Sequence, residues 1–403
     1  MGILSATEHS AIATIDQAAM LATVERWAAI NTGSRNLVGL AHLAQELAAA
    51  FAALPGDIAL SDPAPVQAMG DDGQLAEITH GQHLVVRVRP DAPTRLLLTG
   101  HMDTVFAANH PFQTLRWLDA DTLNGPGVAD MKGGIAVILH ALMAVEASGG
   151  ALDLGYDILI NSDEEVGSLS SASLIAELAA GKAAALTYEP SALPDGTLAG
   201  ARPGSGNFAI AITGLAAHAG RNPDDGRNAL VAAADLALRL KAAHRPGLSI
   251  NPARIAGGGP NNIVPDQAIL RVNLRPATPE DAADALAQLQ AAIAAVETEH
   301  GVHTHLHGGF NRPPKPLDDR SENLFHLVRD CGAALGLEIG WRATGGVCDG
   351  NNIAACGVPV VDTMGPRGGA IHSADEFLIT DSLAERAQLS ALTILRLAAK
   401  GSL

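Results

Sequence analysis

Short apolar runs and longer amphipathic segments alternate through the first half of the chain. Residues 15–30 and 37–54 repeat their apolar positions with a helical period, while 84–89 and 96–99 are apolar runs of the length of buried strands. Residues 130–150 predict a further helix, which begins after Gly-Pro-Gly and ends on two glycines. Because strands alternate with helices, we predict an α/β fold with a mainly parallel sheet flanked by helices, in which 84–89 and 96–99 are neighbouring strands.

The middle of the chain predicts a separate domain inserted into this α/β fold. Its segments are a strand at 207–213, a helix at 227–244, strands at 248–255 and 267–275, a helix from 278 to about 300, and a strand at 302–310. The order β-α-β-β-α-β is the ferredoxin-like pattern, and the Gly/Pro-rich stretches PDGTLAGARPGSG and NRPPKPLDD bound it. We therefore predict that residues 1–200 and 313–403 form the α/β domain and that residues 201–312 form the insertion.

Composition and charge narrow the classes of partner. With 403 residues the chain is too long for one ordinary core, and its net charge of −17 argues against binding to nucleic acid or to an anionic membrane. The three cysteines form an odd and sparse set without a C-x-x-C pair. Nothing in it resembles a disulfide framework, which is typical of a reducing compartment. The first residues lack a signal-peptide pattern, and no apolar run reaches the roughly 18 residues of a membrane span. We therefore expect a cytoplasmic protein.

Side chains that bind metals well follow the predicted strands. The run LLLTGHMDTVF ends on His101 and Asp103, and ligands in open α/β sheets bind beyond the carboxyl ends of the strands. The same edge is expected to carry Asp130 in GVADMKGG, Glu164 and Glu165 in NSDEEVGS, Glu189 in TYEPS and His372 in AIHSADE. Each of these residues alone is typical of an ordinary strand or helix end. Together at one edge of one sheet, they indicate a site.

Two histidines and three carboxylates form a ligand set for two metal ions. These donors suit Zn²⁺, with Co²⁺ or Mn²⁺ as alternatives, and the lack of a cysteine in the set argues against a thiolate site. We assign one ion to His101, Asp130 and Glu189, and the other to Asp130, Glu165 and His372. Asp130 then bridges two ions about 3.5–4 Å apart, a spacing that allows them to hold one hydroxide and polarise one carbonyl.

Two further acidic residues have roles that follow from their neighbours. Asp103 lies two residues beyond His101 on an extended chain and therefore faces the same way, so that it can accept the second imidazole N–H. Glu164 precedes the ligand Glu165 but points differently. We expect Glu164 to be the general base that takes the proton from the attacking water.

Five motifs, LLLTGHMDTVF, GPGVADMKGG, SDEEVGS, YEPS and GGAIHSADEF, follow one another over nearly the whole chain. In this order they resemble the signatures of the two-zinc aminoacylase and carboxypeptidase G-type amidohydrolases. That family includes acetylornithine deacetylase, succinyl-diaminopimelate desuccinylase and glutamate carboxypeptidase. The resemblance implies a dinuclear zinc hydrolase with a zinc-exopeptidase-like catalytic domain. It also implies that the ferredoxin-like insertion is a lid that forms a homodimer.

The resemblance also implies roles for residues of the insertion. His218, in GLAAHAG, matches a lid histidine that donates a hydrogen bond to the developing oxyanion, typically across the dimer. Asn262, in GGGPNNIVPD, matches an asparagine that helps to bind the substrate. Arg275 matches an arginine that binds the carboxylate of the amino-acid portion, which suits a bidentate guanidinium. Arg312 is a candidate for a second contact with that carboxylate.

The function implied by the resemblance is cleavage of an amide bond next to an amino acid with a free carboxylate, such as a C-terminal glutamate. The substrate would be a small peptide or an N-acyl amino acid. Glu189 is common among the deacylases and dipeptidases, whereas GGVCDGNN and GPRGGAIHSADE favour the carboxypeptidase branch. An N-acyl-amino-acid deacylase, similar to acetylornithine deacetylase, therefore stays open as an alternative. So does an inactive binding module of the same fold.

Two other features resemble a metal site and a nucleophile, but we expect neither role. The segment VHTHLHGG places His303, His305 and His307 on one face of a strand, where a solvated face is the expected role. Cys348 lies in a loop without an evident base partner, so we expect it to line a pocket rather than to act as a nucleophile.

Overall fold

A computed structural model describes residues 4–401 of the chain. The α-helices are α1 (Ala6–Ala13), α2 (Gln17–Ala28), α3 (Leu37–Phe51), α4 (Gly134–Ser148), α5 (Ala172–Ala179), α6 (Ala229–Ala242), α7 (Pro279–His300), α8 (Asp319–Ala334), α9 (Asp349–Ala355) and α10 (Ser382–Lys400). The first nine strands are β1 (Asp57–Ser61), β2 (Val66–Met69), β3 (Leu75–Ile78), β4 (His83–Val88), β5 (Thr94–His101), β6 (Arg116–Trp117), β7 (Thr122–Asn124), β8 (Leu154–Asn161) and β9 (Ala184–Thr187). The remaining strands are β10 (Leu198–Ala199), β11 (Ser205–Thr213), β12 (Leu248–Gly257), β13 (Gln267–Pro276), β14 (His303–Arg312), β15 (Trp341–Arg342), β16 (Val360–Val361), β17 (Gly368–Gly369) and β18 (Phe377–Ile379).

Capping side chains begin the helices where the sequence predicts helix starts. The Asn36 side chain accepts the N–H of Gly39 at the start of α3, which satisfies a donor that the first helical turn leaves without a partner. The Thr278 hydroxyl accepts the N–H of Asp281 at the start of α7, and Pro279 occupies the first turn.

The main sheet has six strands in the order β1-β4-β8-β5-β9-β16. The pairs β8–β5, β5–β9 and β9–β16 are parallel, while β4 and β1 extend the sheet in antiparallel pairing. This sheet confirms the predicted mainly parallel α/β fold. The prediction that β4 and β5 are neighbours is wrong, because β8 lies between them. All residues of β8 are buried, and a strand of this kind gains most from a central position with a neighbour on each side.

Helices cover both faces of this sheet, and β5 shows why its apolar run is continuous. Leu96 and Leu98 pack into the larger apolar cluster with α4 and α10, whereas Leu97 points to the opposite face, into the cluster with α5 and α9. Successive residues of a strand face opposite sides, so a strand covered on both sides needs apolar residues at every position.

The segment Val128–Ser148 is long and apolar enough for a membrane span, but its apolar window is 89% buried inside the protein. Burial of that extent is typical of a core helix.

Two compact units make up the chain. The first contains Met1–Ala64, Thr79–Ala201 and Leu317–Leu403, and the second contains Pro65–Ile78 and Arg202–Pro316. The second unit has an antiparallel sheet in the order β12-β13-β11-β14, packed against α6 and α7, which is the arrangement expected of the ferredoxin-like insertion. The sequence division at 201–312 does not include the hairpin β2–β3. That hairpin belongs to the second unit because Met69 packs with Ala209, Ala211 and Ile269.

The histidines of β14 lie on this second unit. His303 and His305 are exposed, and the Nε2 atom of His307 is 3.1 Å from the backbone oxygen of Gln67. Among residues 4–401, the groups of three or more side chains spaced to hold a metal ion do not include these histidines.

Candidate metal centre

The ends of three adjacent strands deliver most of the predicted ligands to one edge of the main sheet. His101 is the last residue of β5, Glu164 and Glu165 form a single helical turn after β8, and Glu189 follows β9. The parallel strands β8, β5 and β9 are neighbours, so their carboxyl ends meet. Asp130 was expected at the N-terminus of a helix. It lies instead in an irregular turn, Val128–Gly133, that precedes α4.

Asp130 lies between the histidines of the two predicted metal sites. The His101 Nε2 atom lies 3.0 Å from Asp130 Oδ1 and 3.6 Å from Glu189 Oε2. The His372 Nε2 atom lies 3.3 Å from Asp130 Oδ2 and 3.1 Å from Glu165 Oε2. Each oxygen of the Asp130 carboxylate therefore faces a different histidine, which is the arrangement of a carboxylate that bridges two sites.

Burial and mutual charge perturb these groups strongly. Burial and the nearby Asp130 charge raise the pKa of Glu165 to about 7. Contacts with Asp130 and then with Glu165 raise the pKa of His372 to about 11. Burial opposes ionisation of Asp130, but hydrogen bonds from His101 and His372 hold its pKa well below the usual range. The cluster thus gathers negative charge that needs nearby positive charge to stabilise it.

The donor set fits divalent cations. Ligand atoms of His101, Asp130 and Glu165 all lie within 4.8 Å of one another, and so do those of His101, Glu164 and Glu189. Imidazole nitrogens and carboxylate oxygens without thiolates suit zinc, cobalt or manganese. Glu164 belongs to the second of these groups, so the predicted general base lies at the same cluster as the predicted ligands.

Asp103 contacts both His101 and the turn that carries Glu164 and Glu165. Its buried carboxylate accepts the backbone N–H of Glu164 at 3.1 Å and that of Glu165 at 3.2 Å, and the Ser34 hydroxyl donates to it at 2.7 Å. The His101 Nδ1 atom is 3.5 Å from Asp103 Oδ1 and 3.0 Å from the Asp103 backbone oxygen. The nearer acceptor for the imidazole is therefore the backbone, and the carboxylate holds the acidic pair.

Buried polar side chains fix the turn that carries the acidic pair. Asp163 accepts hydrogen bonds from the hydroxyls of Ser170 and Ser171 at 2.8 and 2.7 Å. Asp349, from the GGVCDGNN segment, accepts the Asn161 side chain at 2.7 Å. The neighbouring Cys348 is buried at the start of α9 and belongs to the cap of that helix.

The loop that carries His372 has an unusual backbone. Ala370 and His372 have φ angles of 52° and 63°, in the left-handed region that residues other than glycine rarely adopt. Such conformations persist where the surrounding structure determines them, and they are concentrated at functional sites.

Two polar residues beside the cluster were not singled out from the sequence. Ser34 contacts Asp103, as described above, and lies far from the strand-end motifs in the chain. Glu376 accepts the backbone N–H of Asp130 at 3.0 Å. Glu376 occurs in the same GGAIHSADEF segment as His372, so a closer examination of that motif could have identified it.

The predicted substrate-binding residues all belong to the second unit. His218 and Asn262 are exposed and adjacent: Ala219 donates its N–H to the Asn262 backbone oxygen at 2.9 Å. Arg275 is exposed near the end of β13, where its Nε atom donates to Asn273 Oδ1 at 3.0 Å. Arg312 is 3% exposed at the end of β14.

Comparison with known proteins identifies the family. The model of the peptidase family M20/M25/M40 matches residues 97–396. The chain belongs to this family. It is a metallo-hydrolase of the M20 peptidase family, and the resemblance seen in its motifs is confirmed.

Individual M20 relatives cover most of the chain. Carboxypeptidase G2 of Pseudomonas sp. (strain RS-16) is 31% identical over 401 residues, which are 96% of this chain and 91% of that protein. Succinyl-diaminopimelate desuccinylase of Halorhodospira halophila is 30% identical over 70% of this chain and 78% of that protein. The Bacillus subtilis YXEP protein, a dinuclear metal-binding M20 peptidase, superimposes with a TM-score of 0.67 at 15% identity, over 95% of this chain and 98% of that one. This last likeness supports the fold.

Proposed function

We propose that this M20 hydrolase is a carboxypeptidase that releases an amino acid with a free carboxylate, such as glutamate, from a small peptide or an N-acyl conjugate. The observation that carries the hydrolytic part is the Asp130 carboxylate between His101 and His372, beside Glu164. Similarity to carboxypeptidase G2 over 96% of the chain supports the choice of leaving group. The exposed guanidinium of Arg275 is a suitable partner for its carboxylate.

Two groups of residues would hold the ions. His101, Asp130 and Glu189 form one, and Asp130, Glu165 and His372 form the other. We propose Zn²⁺ for both, with Co²⁺ or Mn²⁺ as functional substitutes. Bound divalent ions supply Lewis-acid polarisation of the amide carbonyl and make water a better nucleophile at neutral pH.

Side chains of the protein transfer the proton of the attacking water and stabilise the negative charge of the oxyanion. Glu164 removes a proton from the attacking water and passes it to the leaving amine. Asp103 holds Glu164 through its backbone N–H. His218 donates a hydrogen bond to the oxyanion, and Asn262 binds the substrate.

An N-acyl-amino-acid deacylase is the second candidate. Glu189 and the similarity to a succinyl-diaminopimelate desuccinylase favour it. Both candidates use the same amide chemistry, so they differ only in which side of the amide the protein recognises.

A substrate panel separates the candidates. Benzoyl-glutamate, folyl-glutamate, N-acetyl amino acids, N-succinyl-diaminopimelate and dipeptides are incubated with zinc-loaded enzyme, with and without chelator. We expect chelator-sensitive release of glutamate from the first two. Faster turnover of the acetyl or succinyl substrates would replace the carboxypeptidase with the deacylase. No turnover of any substrate by protein with two bound ions would overturn both candidates and favour a binding module.

We also propose that the protein is a cytoplasmic homodimer formed by the second unit. β12 is an edge strand of its sheet, and Leu238 of α6 and Ile255 of β12 are 71% and 38% exposed. Exposed apolar side chains beside an open strand edge are typical of a surface that pairs with another copy. Light scattering should give twice the monomer mass, and Leu238→Glu should lower it. A monomeric wild-type protein would exclude the dimer.

A further inference from the structure

Glu376 is a buried carboxylate with an unusual set of partners. It is 1% exposed, and it accepts the backbone N–H groups of Gly127, Ala129 and Asp130, each at 3.0 Å. Its Oε2 atom takes the first of these donors and its Oε1 atom takes the other two. All three donors come from the turn that contains the shared carboxylate of the candidate metal centre.

The shape of that turn explains why it needs an anion. Gly127 has a φ angle of 72°, and Asp130 has φ −115° and ψ 91°, so the segment does not follow a regular helix. Its N–H groups instead converge on one point, as in the backbone concavities that bind anions. Buried N–H groups without an acceptor are costly, and a single carboxylate satisfies all three here. Lys132 is buried as well: burial lowers its pKa to about 7, while its electrostatic interaction with Glu376 opposes that shift.

Glu376 also joins two ligand loops that are distant in sequence. It lies four residues after His372, whose Nε2 atom is 3.3 Å from Asp130 Oδ2. The Asn124 side chain donates to the Glu376 backbone oxygen at 2.7 Å, and this bond also fixes the backbone of Glu376. One residue therefore sets both the direction of the Asp130 main chain and the approach of the His372 loop.

We propose that Glu376 is a positioning residue that holds the Asp130 carboxylate between His101 and His372, in the orientation that both metal sites need. This role rests on the proposed metal assignment. In this assignment Glu376 acts through the backbone N–H of Asp130 and is not itself a metal ligand. A carboxylate is required because a glutamine offers one acceptor oxygen and would turn its NH₂ group toward an N–H donor.

The test compares Glu376→Gln with Glu146→Gln. Glu146 is a matched control: its side chain is 17% exposed, and it accepts Tyr156 Oη at 2.8 Å and Arg89 Nη1 at 3.1 Å, without contact to the metal centre. Chelator-treated proteins are titrated with Co²⁺, and the affinity, the stoichiometry and the visible spectrum of the cobalt are recorded. Circular dichroism establishes that each variant is folded.

We expect Glu376→Gln to weaken cobalt binding by about 10–100-fold, the usual cost of losing a residue that orients a metal ligand. Its cobalt spectrum should change, because the bridging carboxylate is displaced. Glu146→Gln should keep the wild-type affinity and spectrum, even where it unfolds more easily. If Glu376→Gln fails to fold, Glu376→Asp, which keeps the charge but shortens the side chain, is judged by the same criteria.

A folded Glu376 variant with wild-type cobalt affinity and spectrum would overturn the positioning role. Failure of the proposed function gives different results. Wild-type protein that binds two cobalt ions but hydrolyses no substrate would overturn the substrate proposal alone, because metal binding is the readout here. Wild-type protein that binds no cobalt would overturn the metal assignment.

Discussion

Asparagine in place of Asp103 tests how the acidic pair is held. The Asp103 carboxylate is fully buried and accepts the Ser34 hydroxyl and the backbone N–H groups of Glu164 and Glu165. The two N–H groups donate to different oxygens, Oδ1 and Oδ2. An asparagine must place its NH₂ group toward one of them, so in either orientation one buried N–H loses its acceptor and faces another donor.

The expected magnitude follows from these contacts. A hydrogen bond to a charged group contributes about 1.5–3 kcal/mol, so Asp103→Asn should lower the free energy of unfolding of the metal-free protein by about that amount. Because Glu164 and Glu165 both depend on this carboxylate, metal affinity and kcat should each fall by about 10–100-fold. Ser34→Ala is the control: it removes one donor but leaves both N–H groups bonded and turns no donor toward another, so its cost should lie at the low end of that range, about 1.5 kcal/mol.

Urea unfolding in the presence of chelator measures the stability of all three proteins without a metal contribution. Metal competition and steady-state kinetics on the best substrate of the panel measure the other two quantities. The reasoning is refuted if Asp103→Asn loses no more stability than Ser34→Ala and keeps its kcat. A loss of stability without any change in kcat or metal affinity would limit Asp103 to a structural role.

Three further outcomes are expected. Glu164→Gln should retain both metal ions but lose about 10²–10⁴-fold in kcat, the usual contribution of a general base; loss of an ion, measured by metal analysis, would make Glu164 a ligand instead. Removal of metal by chelator should abolish activity and lower Tm, and added zinc should restore both, because an ion that binds only the folded state stabilises it; a Tm independent of metal would contradict the assignment. Lys182→Met breaks a buried ion pair, in which Lys182 Nζ lies 2.7 Å from Asp157 Oδ2. It should lower the free energy of unfolding in urea by about 3–5 kcal/mol without changing kcat. A simultaneous fall in kcat would show that this pair supports the site.

Local patterns in the sequence were sufficient for the elements and for most of the site. The apolar run of β5 followed by His101 predicts both a strand and a ligand at its end, because burial on two faces demands apolar residues until the strand leaves the core. The β-α-β-β-α-β order of the insertion is likewise visible in the periodicity of its segments. The acidic pair after β8 and Glu189 after β9 were predicted in the same way.

Tertiary structure decided how these pieces meet. Three findings join segments that are distant in the chain. Strand β8 lies between β4 and β5, and the hairpin β2–β3 belongs to the second unit. Ser34 and Glu376 form hydrogen bonds with Asp103 and Asp130. Hydrophobic periodicity reports which face of an element is buried, but it contains no information on which partner covers that face. Glu376 shows the difference clearly, because the sequence places an acidic residue near His372. Only the folded chain directs three N–H groups, 246 to 249 residues away in the sequence, toward it.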